Sequence, residues 1–152
     1  MASDNLVSIT INDKSLRRSL RALDLAATDM EPAMRKIAGT LLAETQFNFL
    51  DEGRPGWMPS LAAEERDGQT LQDTGRLMGS VSTEHDDRQA VVGTNVVYGA
   101  IHQFGGKTGR NESVELPARP FLPVTEDGEL QPEGVVPILD TIVRHLEGAA
   151  RR

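Results

Sequence analysis

Apolar and polar residues change period several times along this chain, and each change marks an element. Val7, Ile9 and Ile11 alternate with Ser8, Thr10 and Asn12, a period of two that predicts a half-buried strand over 6–12. Asn12-Asp13 supply a stop and a helix cap. From Asp13 the period lengthens. Leu16, Leu20 and Leu23 fall at i, i+4 and i+7, one face of a first helix. A second helix is expected from near Asp29, a candidate cap, with Pro32 in its first turn, where a missing N–H costs little. Met34, Ile37, Ala38, Leu41, Leu42 and Phe49 give it a wide apolar stripe, and Gly53 is placed as the left-handed C′ residue that ends it. At about 22 residues, roughly 33 Å, this helix is the expected spine of the core.

Beyond it, breakers dominate. Gly53-Arg54-Pro55-Gly56-Trp57-Met58-Pro59-Ser60 is an irregular loop, and its Trp57 reads either as tucked against the helix or as an interface anchor. Residues 61–70 are polar, a short helix or exposed loop. Thr74 can cap a short helix carrying Leu77, Met78 and Val81. Residues 80–86 and 89–94 predict a hairpin turned by Asp86-Asp87-Arg88. Tyr98, Ile101 and Phe104 share a face of a two-turn helix stopped by Gly105-Gly106. Residues 105–113 lack any apolar side chain and predict an exposed flexible loop. Val114-Glu115-Leu116 is a short strand, and Pro117, Pro120 and Pro123 then force an extended path. After a polar loop over 125–134, a last helix is expected from about Val135, with Pro137 in its first turn and a stripe of Leu139, Ile142, Val143 and Leu146. Arg144, Arg151 and Arg152 suit its negative end.

Length then bounds the answer: 152 residues predict one domain, 1–152, with exposed loops near 53–60, 105–113 and 125–134. Leu, Ile, Val and Phe make up about 24% of the chain, just above the roughly 20% below which chains stay disordered, so one modest core is expected. A few short strands and three or four helices fit a two-layer α+β domain. The net charge of -7 makes duplex DNA a poor bulk partner. Zero cysteines exclude a disulfide scaffold, thiolate chemistry and Cys-based zinc sites. No run of 18 apolar residues predicts a membrane span. Met-Ala-Ser-Asp-Asn lacks the basic and apolar regions of a signal peptide, so synthesis and release in the cytoplasm are expected.

Candidate chemistry is thin. His85, His102 and His145 are spread over separate predicted elements with no His-x-x-x-His spacing, so no metal site is expected. Gly105-Gly106-Lys107-Thr108-Gly109 carries a Gly-Lys-Thr, but without the first glycine of a P-loop, the strand before it or the helix after it. Asp51-Glu52, Glu64-Glu65 and Asp86-Asp87 are sequence neighbours at helix ends or turns and read as solvated charge. A hydrolase would need carboxylates brought together from distant segments. No Gly-x-Ser-x-Gly elbow is present. The expectation is no catalytic residue, no cofactor and no metal.

Three segments together resemble one family. They are Gly53-Arg54-Pro55-Gly56-Trp57-Met58-Pro59; Leu71-Gln72-Asp73-Thr74-Gly75-Arg76-Leu77 with Ser80-Val81; and Val92-Gly93-Thr94 through Tyr98-Gly99-Ala100-Ile101-His102-Gln103-Phe104-Gly105-Gly106 to Leu116-Pro117-Ala118-Arg119-Pro120-Phe121-Leu122. Their order and spacing, from about residue 30 to 147, resemble the virion morphogenesis or tail-completion proteins of tailed bacteriophages, including Mu-like phages. Gly99 stands where the resemblance leads one to expect a small Ala-like residue, and the 105–113 loop is shorter and more charged than it implies. The resemblance implies a small, mainly antiparallel sheet packed against helices. It also implies a non-enzymatic virion protein at the head–tail junction, forming a homo-oligomeric ring, often six-fold, around the DNA path. Neck, connector or tail-tube proteins would then be its neighbours. DNA would pass the lumen without specific binding, helped by a negative lining.

Rings are built from heterologous contacts. Trp57, Tyr98, Ile101, Phe104, Arg119 and Phe121 are the interface candidates, being aromatic or Arg residues, or lying on the same short helix. The competing expectation is a small nucleic-acid-binding module using Arg17, Arg18, Arg21, Arg35 and Lys36 on the first two helices.

Overall fold

A twenty-residue helix organises everything around it. The computed structural model describes residues 14–151; the strand predicted over 6–12 lies outside the described residues, as does the side chain of Leu16. Helix α1 spans Lys14–Thr28 and α2 spans Glu31–Leu50. Short helices α3 (Leu61–Glu65) and α4 (Arg76–Ser80) follow. Strands β1 (Ser82–His85) and β2 (Ala90–Gly93) come next, then α5 (Gly99–Phe104), strands β3 (Gly106–Thr108) and β4 (Val114–Leu116), and α6 (Pro132–Ala150). The fold is α+β. Hairpin β1–β2 packs on one side of α2, α6 packs on α2, and α1 packs on α6. The antiparallel pairing divides into two two-stranded ribbons, β1–β2 and β3–β4.

The predicted spine holds, with altered ends. Met30, not Asp29, is the N-cap of α2 and makes no side-chain capping bond. Asp29 is already engaged in closing α1, its N–H donating to Leu25 O at 2.9 Å. At the other end the left-handed C′ residue is Glu52, at φ 53°, and Gly53 follows it at φ 99°. Gly53 N–H donates to Asn48 O at 2.7 Å and Glu52 N–H to Phe49 O at 3.2 Å, the paired bonds of a Schellman motif. A side chain at Gly53 would meet Trp57 Cδ1 at 2.5 Å, so glycine is required there for space as well as conformation.

The core is small and aromatic. Phe49, Trp57, Leu77, Val81 and Phe121 form it, with Leu42, Leu71, Met78, Val92, Val96 and Leu122 packed around them. Phe49 meets the Trp57 ring edge-on, centroids 5.9 Å apart, and lies 5.3 Å from the Phe121 ring. These geometries suit the quadrupoles of the rings. The expected hairpin forms, with Asp86 Oδ1 accepting from the N–H groups of Arg88 (2.7 Å) and Gln89 (2.9 Å). Thr74 Oγ1 accepts from Arg76 N–H, although the N-cap of α4 is Gly75.

Three expectations need correction. Residues 105–113, expected as flexible loop, supply the first arm of a ribbon, because Gly106–Thr108 pairs with Val114–Leu116; backbone pairing needs no apolar side chain. Helix α6 begins at Pro132, three residues earlier than expected. Pro132-Glu133-Gly134 reads as breaker-rich loop, yet Pro suits N1 and buried Gly134 packs under Leu130. Pro137 therefore sits inside the helix. Finally, Leu20 on α1 and Leu139 and Val143 on α6 are exposed rather than inward. The α1–α6 contact is instead made on the small residues Ala22 and Ala26 and by Ser19, whose hydroxyl donates to Ala150 O at 3.0 Å.

Candidate assembly interface

Two breaker-rich stretches, residues 52–60 and 117–123, meet over the end of α2. Neither has a regular ladder to satisfy its backbone, so side chains do it. Arg54 folds back along α2. Its Nη2 pairs with Glu44 Oε2 at 2.6 Å and donates to Glu44 O at 3.0 Å, while its Nε donates to Asn48 Oδ1 at 2.8 Å. Asn48, fully buried, donates through Nδ2 to Phe121 O and to Gln131 Oε1, both at 2.9 Å. Gln131 Nε2 closes the ring by donating to Arg54 O at 2.8 Å. One cycle of polar side chains thus ties together α2, the Arg54 loop, the Phe121 stretch and the N-cap of α6.

The 117–123 stretch is fixed from its other side by α5. Prolines remove three of its N–H groups, and three of those that remain are met individually. Gln103 Oε1 accepts from both Phe121 and Leu122 N–H at 3.0 Å, and His102 O accepts from Arg119 N–H at 2.7 Å. Arg119 Nε donates to Met58 O at 2.7 Å and Trp57 Nε1 donates to Pro120 O at 3.0 Å, binding the two stretches directly. A side chain at Gly105, φ 71°, would come within 2.6 Å of Ala118 N. Gly99 leaves no room for the expected Ala, since a Cβ there would meet Thr94 Cγ2 at 2.7 Å.

Electrostatics in this junction are structural. Burial, and secondarily the nearby Arg119 charge, hold His102 below the ordinary histidine value. Burial also lowers Arg119. His102 Nδ1 is buried without a hydrogen-bond partner, consistent with a neutral ring that stacks edge-on against Tyr98 at 5.9 Å. The other histidines are far from it in the fold. His85 bonds Glu31 at 3.0 Å, and His145 Nε2 lies 3.0 Å from both Ala26 O and Asp29 O at the end of α1. Among the described residues no group of three or more His, Asp or Glu converges as metal ligands do. No helix among them is long and apolar enough to cross a membrane.

The sequence profile of the phage virion morphogenesis family matches residues 11–147. The chain belongs to that family. It is 42% identical over 125 residues to Mu-like prophage FluMu G protein 2 of Haemophilus influenzae, covering 82% of this chain and 88% of the relative. It is 29% identical over 152 residues to the putative capsid assembly protein G of Escherichia phage Mu, covering 90% and 94%. FluMu G protein 1 of H. influenzae is 32% identical over 106 residues, covering 62% and 68%. No solved structure matches the chain. A virion morphogenesis protein has an assembly role in the phage, and the family is not an enzyme class.

In this family member the six interface candidates divide into two sets. Phe121 (1% exposed), Trp57 (9%) and Arg119 (5%) face inward and hold the two stretches together. Phe104 (77% exposed) and Tyr98 lie outside on α5, with Ile101 half-buried between them. Sequence reasoning missed Val97, which is 96% exposed beside Tyr98, and Met58 and Leu61 on the Trp57 loop and α3. Their signal was present as apolar residues bracketed by breakers and outside any periodic stripe. Arg17, Arg18, Arg21, Arg35 and Lys36 are all exposed.

Proposed function

We propose that this virion morphogenesis protein is a ring-forming component of the head–tail junction, acting there in tail completion, in head–tail joining or as a tail terminator, as a single two-layer domain. What supports the reading is a group of exposed apolar side chains at α5, Val97, Tyr98 and Phe104, over a support stiffened by hydrogen bonds. Exposed apolar side chains grouped on a small domain suit contact surfaces, and membership of a virion morphogenesis family is consistent with partners among other virion proteins. Copies joined through these side chains form a ring, six-fold in the reading we favour. Tyr98, Ile101 and Phe104 make the contact; Trp57, Arg119 and Phe121 hold its shape from beneath. The acidic balance of the chain leaves DNA free to slide through the lumen.

Imaging the assembled particle with this chain located in it tests the reading. A ring of copies at the neck with Phe104 at the subunit boundary is the expected result, and Phe104→Glu should yield folded protein but heads without attached tails. A chain found as isolated copies, or only inside the capsid shell, would overturn it.

A further inference from the structure

The two ends of α6 carry opposite charge. At its N-terminal end lies a groove of about 730 Å³ lined by Trp57, Met58 and Pro120 and by the carboxylates Glu126, Asp127 and Glu133; the one cation in its lining, Arg54, is paired with Glu44. The three carboxylates are exposed, and none pairs with a cation among the described residues. The opposite end, about 28 Å away along the helix axis, is where α1 crosses. Ser19 sits on Ala150 there, so the first half of α1 lies beside the exposed Arg151. That half-helix presents Lys14, Arg17, Arg18 and Arg21, all exposed and without an ion pair among the described residues. Leu20 stands exposed among them.

Over residues 14–28 the chain carries four bases and one acid, while the whole chain is at -7. An exposed leucine among arginines is the counterpart of apolar side chains beside carboxylates. Two different surfaces at opposite ends can pair reciprocally across a two-fold axis or head to tail, and the ring reading selects the second, the contact from which closed rings are made.

We propose that the basic half of α1 from one copy docks into the Trp57–Glu133 groove of the next copy. This rests on the ring reading and supplies one of its contacts. Leu20 enters over Met58 and Trp57, and the arginines meet Glu126, Asp127 and Glu133. The association weakens with salt, because exposed pairs are screened.

Charge reversal tests it with the full chain. One variant carries Arg17→Glu, Arg18→Glu and Arg21→Glu; the other carries Glu126→Lys, Asp127→Lys and Glu133→Lys. In sedimentation velocity at low salt, wild type should form oligomers. Each variant alone should associate at least about tenfold more weakly. An equimolar mixture should associate again, since each groove then finds a complementary helix. Circular dichroism confirms folding, and Arg18→Glu with Asp127→Lys serves as a milder pair. If wild type and both variants oligomerise alike, the docking surface is wrong while the ring reading stands. If wild type associates neither alone nor in the particle, both fall. If reversing α1 abolishes salt-sensitive retention on duplex DNA but leaves oligomers intact, the stripe is a nucleic-acid surface and the proposal is overturned.

Discussion

Asn48 is the residue on which the two irregular stretches depend most, and replacing it has a calculable cost. Its side chain makes three hydrogen bonds, accepting from partly buried Arg54 Nε and donating, in full burial, to Phe121 O and Gln131 Oε1. Asn48→Ala leaves all three partners without it in a site closed to solvent. Each such loss costs about 1–3 kcal/mol. Arg54 keeps its Nη2 bond to Glu44 and Gln131 its Nε2 bond to Arg54 O, so both side chains stay anchored while Arg54 Nε, Gln131 Oε1 and Phe121 O lose a partner, and we take each loss near the lower end of that range. The total is then about 3–5 kcal/mol, a large share of the roughly 5–15 kcal/mol that holds a domain folded. For a chain of this length that corresponds to a Tm lowered by about 9–15 °C. Urea unfolding at neutral pH measures it, with the slope unchanged if only stability moves. Asn48→Asp separates bonding from packing, because it is isosteric and keeps the acceptor facing Arg54. It loses the donor and sets a carboxylate oxygen against Phe121 O and Gln131 Oε1, so it should also destabilise by at least about 2 kcal/mol. If Asn48→Ala fell within about 1 kcal/mol of wild type, or Asn48→Asp matched it, the polar cycle would not be what fixes these stretches.

Other substitutions probe the same junction. Phe121→Ala empties a site in contact with Phe49 and should cost about 3–5 kcal/mol by the same unfolding measurement. Gly105→Ala forces a left-handed alanine against the backbone of Ala118, so a loss of at least about 2 kcal/mol and faster amide exchange in β3–β4 are expected. His102 has a folded value below its unfolded one, so the unfolded chain binds the extra proton. Its contribution is complete above about pH 6.5 and is lost as pH falls through the folded value. The urea midpoint of wild type should therefore drop faster than that of His102→Gln on acidification. Parallel pH profiles would remove this assignment.

Much of the fold is legible in the periodicity. The α2 stripe, the β1–β2 turn at Asp86 and the proline-set path of 117–123 all follow from local rules. What was hidden is non-local. Nothing near Asn48 in sequence says that it meets Phe121 and Gln131, because a buried amide in a helix and a solvated one look alike in a single chain. The same holds for Glu44, which reads as surface charge until Arg54 folds back onto it. The strand at 114–116 is legible, but its partner β3 was missed because Gly106-Lys107-Thr108 is held by backbone pairing and leaves no apolar alternation. The interface candidates were chosen by residue type, and type does not say which way a side chain faces. Phe104 and Phe121 are the same residue on opposite sides of one junction.

That division bears on what the buried polar groups do. Replacing a buried ion pair such as Glu44–Arg54 with well-packed apolar residues is often neutral for stability, so stability alone does not account for it. An apolar junction of the same volume would let the 52–60 and 117–123 stretches slide, since apolar contacts carry no register. Hydrogen bonds at fixed distances allow one arrangement of Met58, Arg119 and the groove. A surface that must match a sibling copy needs that single arrangement more than it needs another kilocalorie. On the proposed ring reading, the polar cycle holds the docking surface in register. A Glu44→Leu/Arg54→Met double variant removes the ion pair and also leaves Asn48 Oδ1 without its donor, so it should unfold about 1–3 kcal/mol below wild type, yet lose more assembly than that shift in stability accounts for. Normal assembly by that variant would show that register at this junction is set elsewhere.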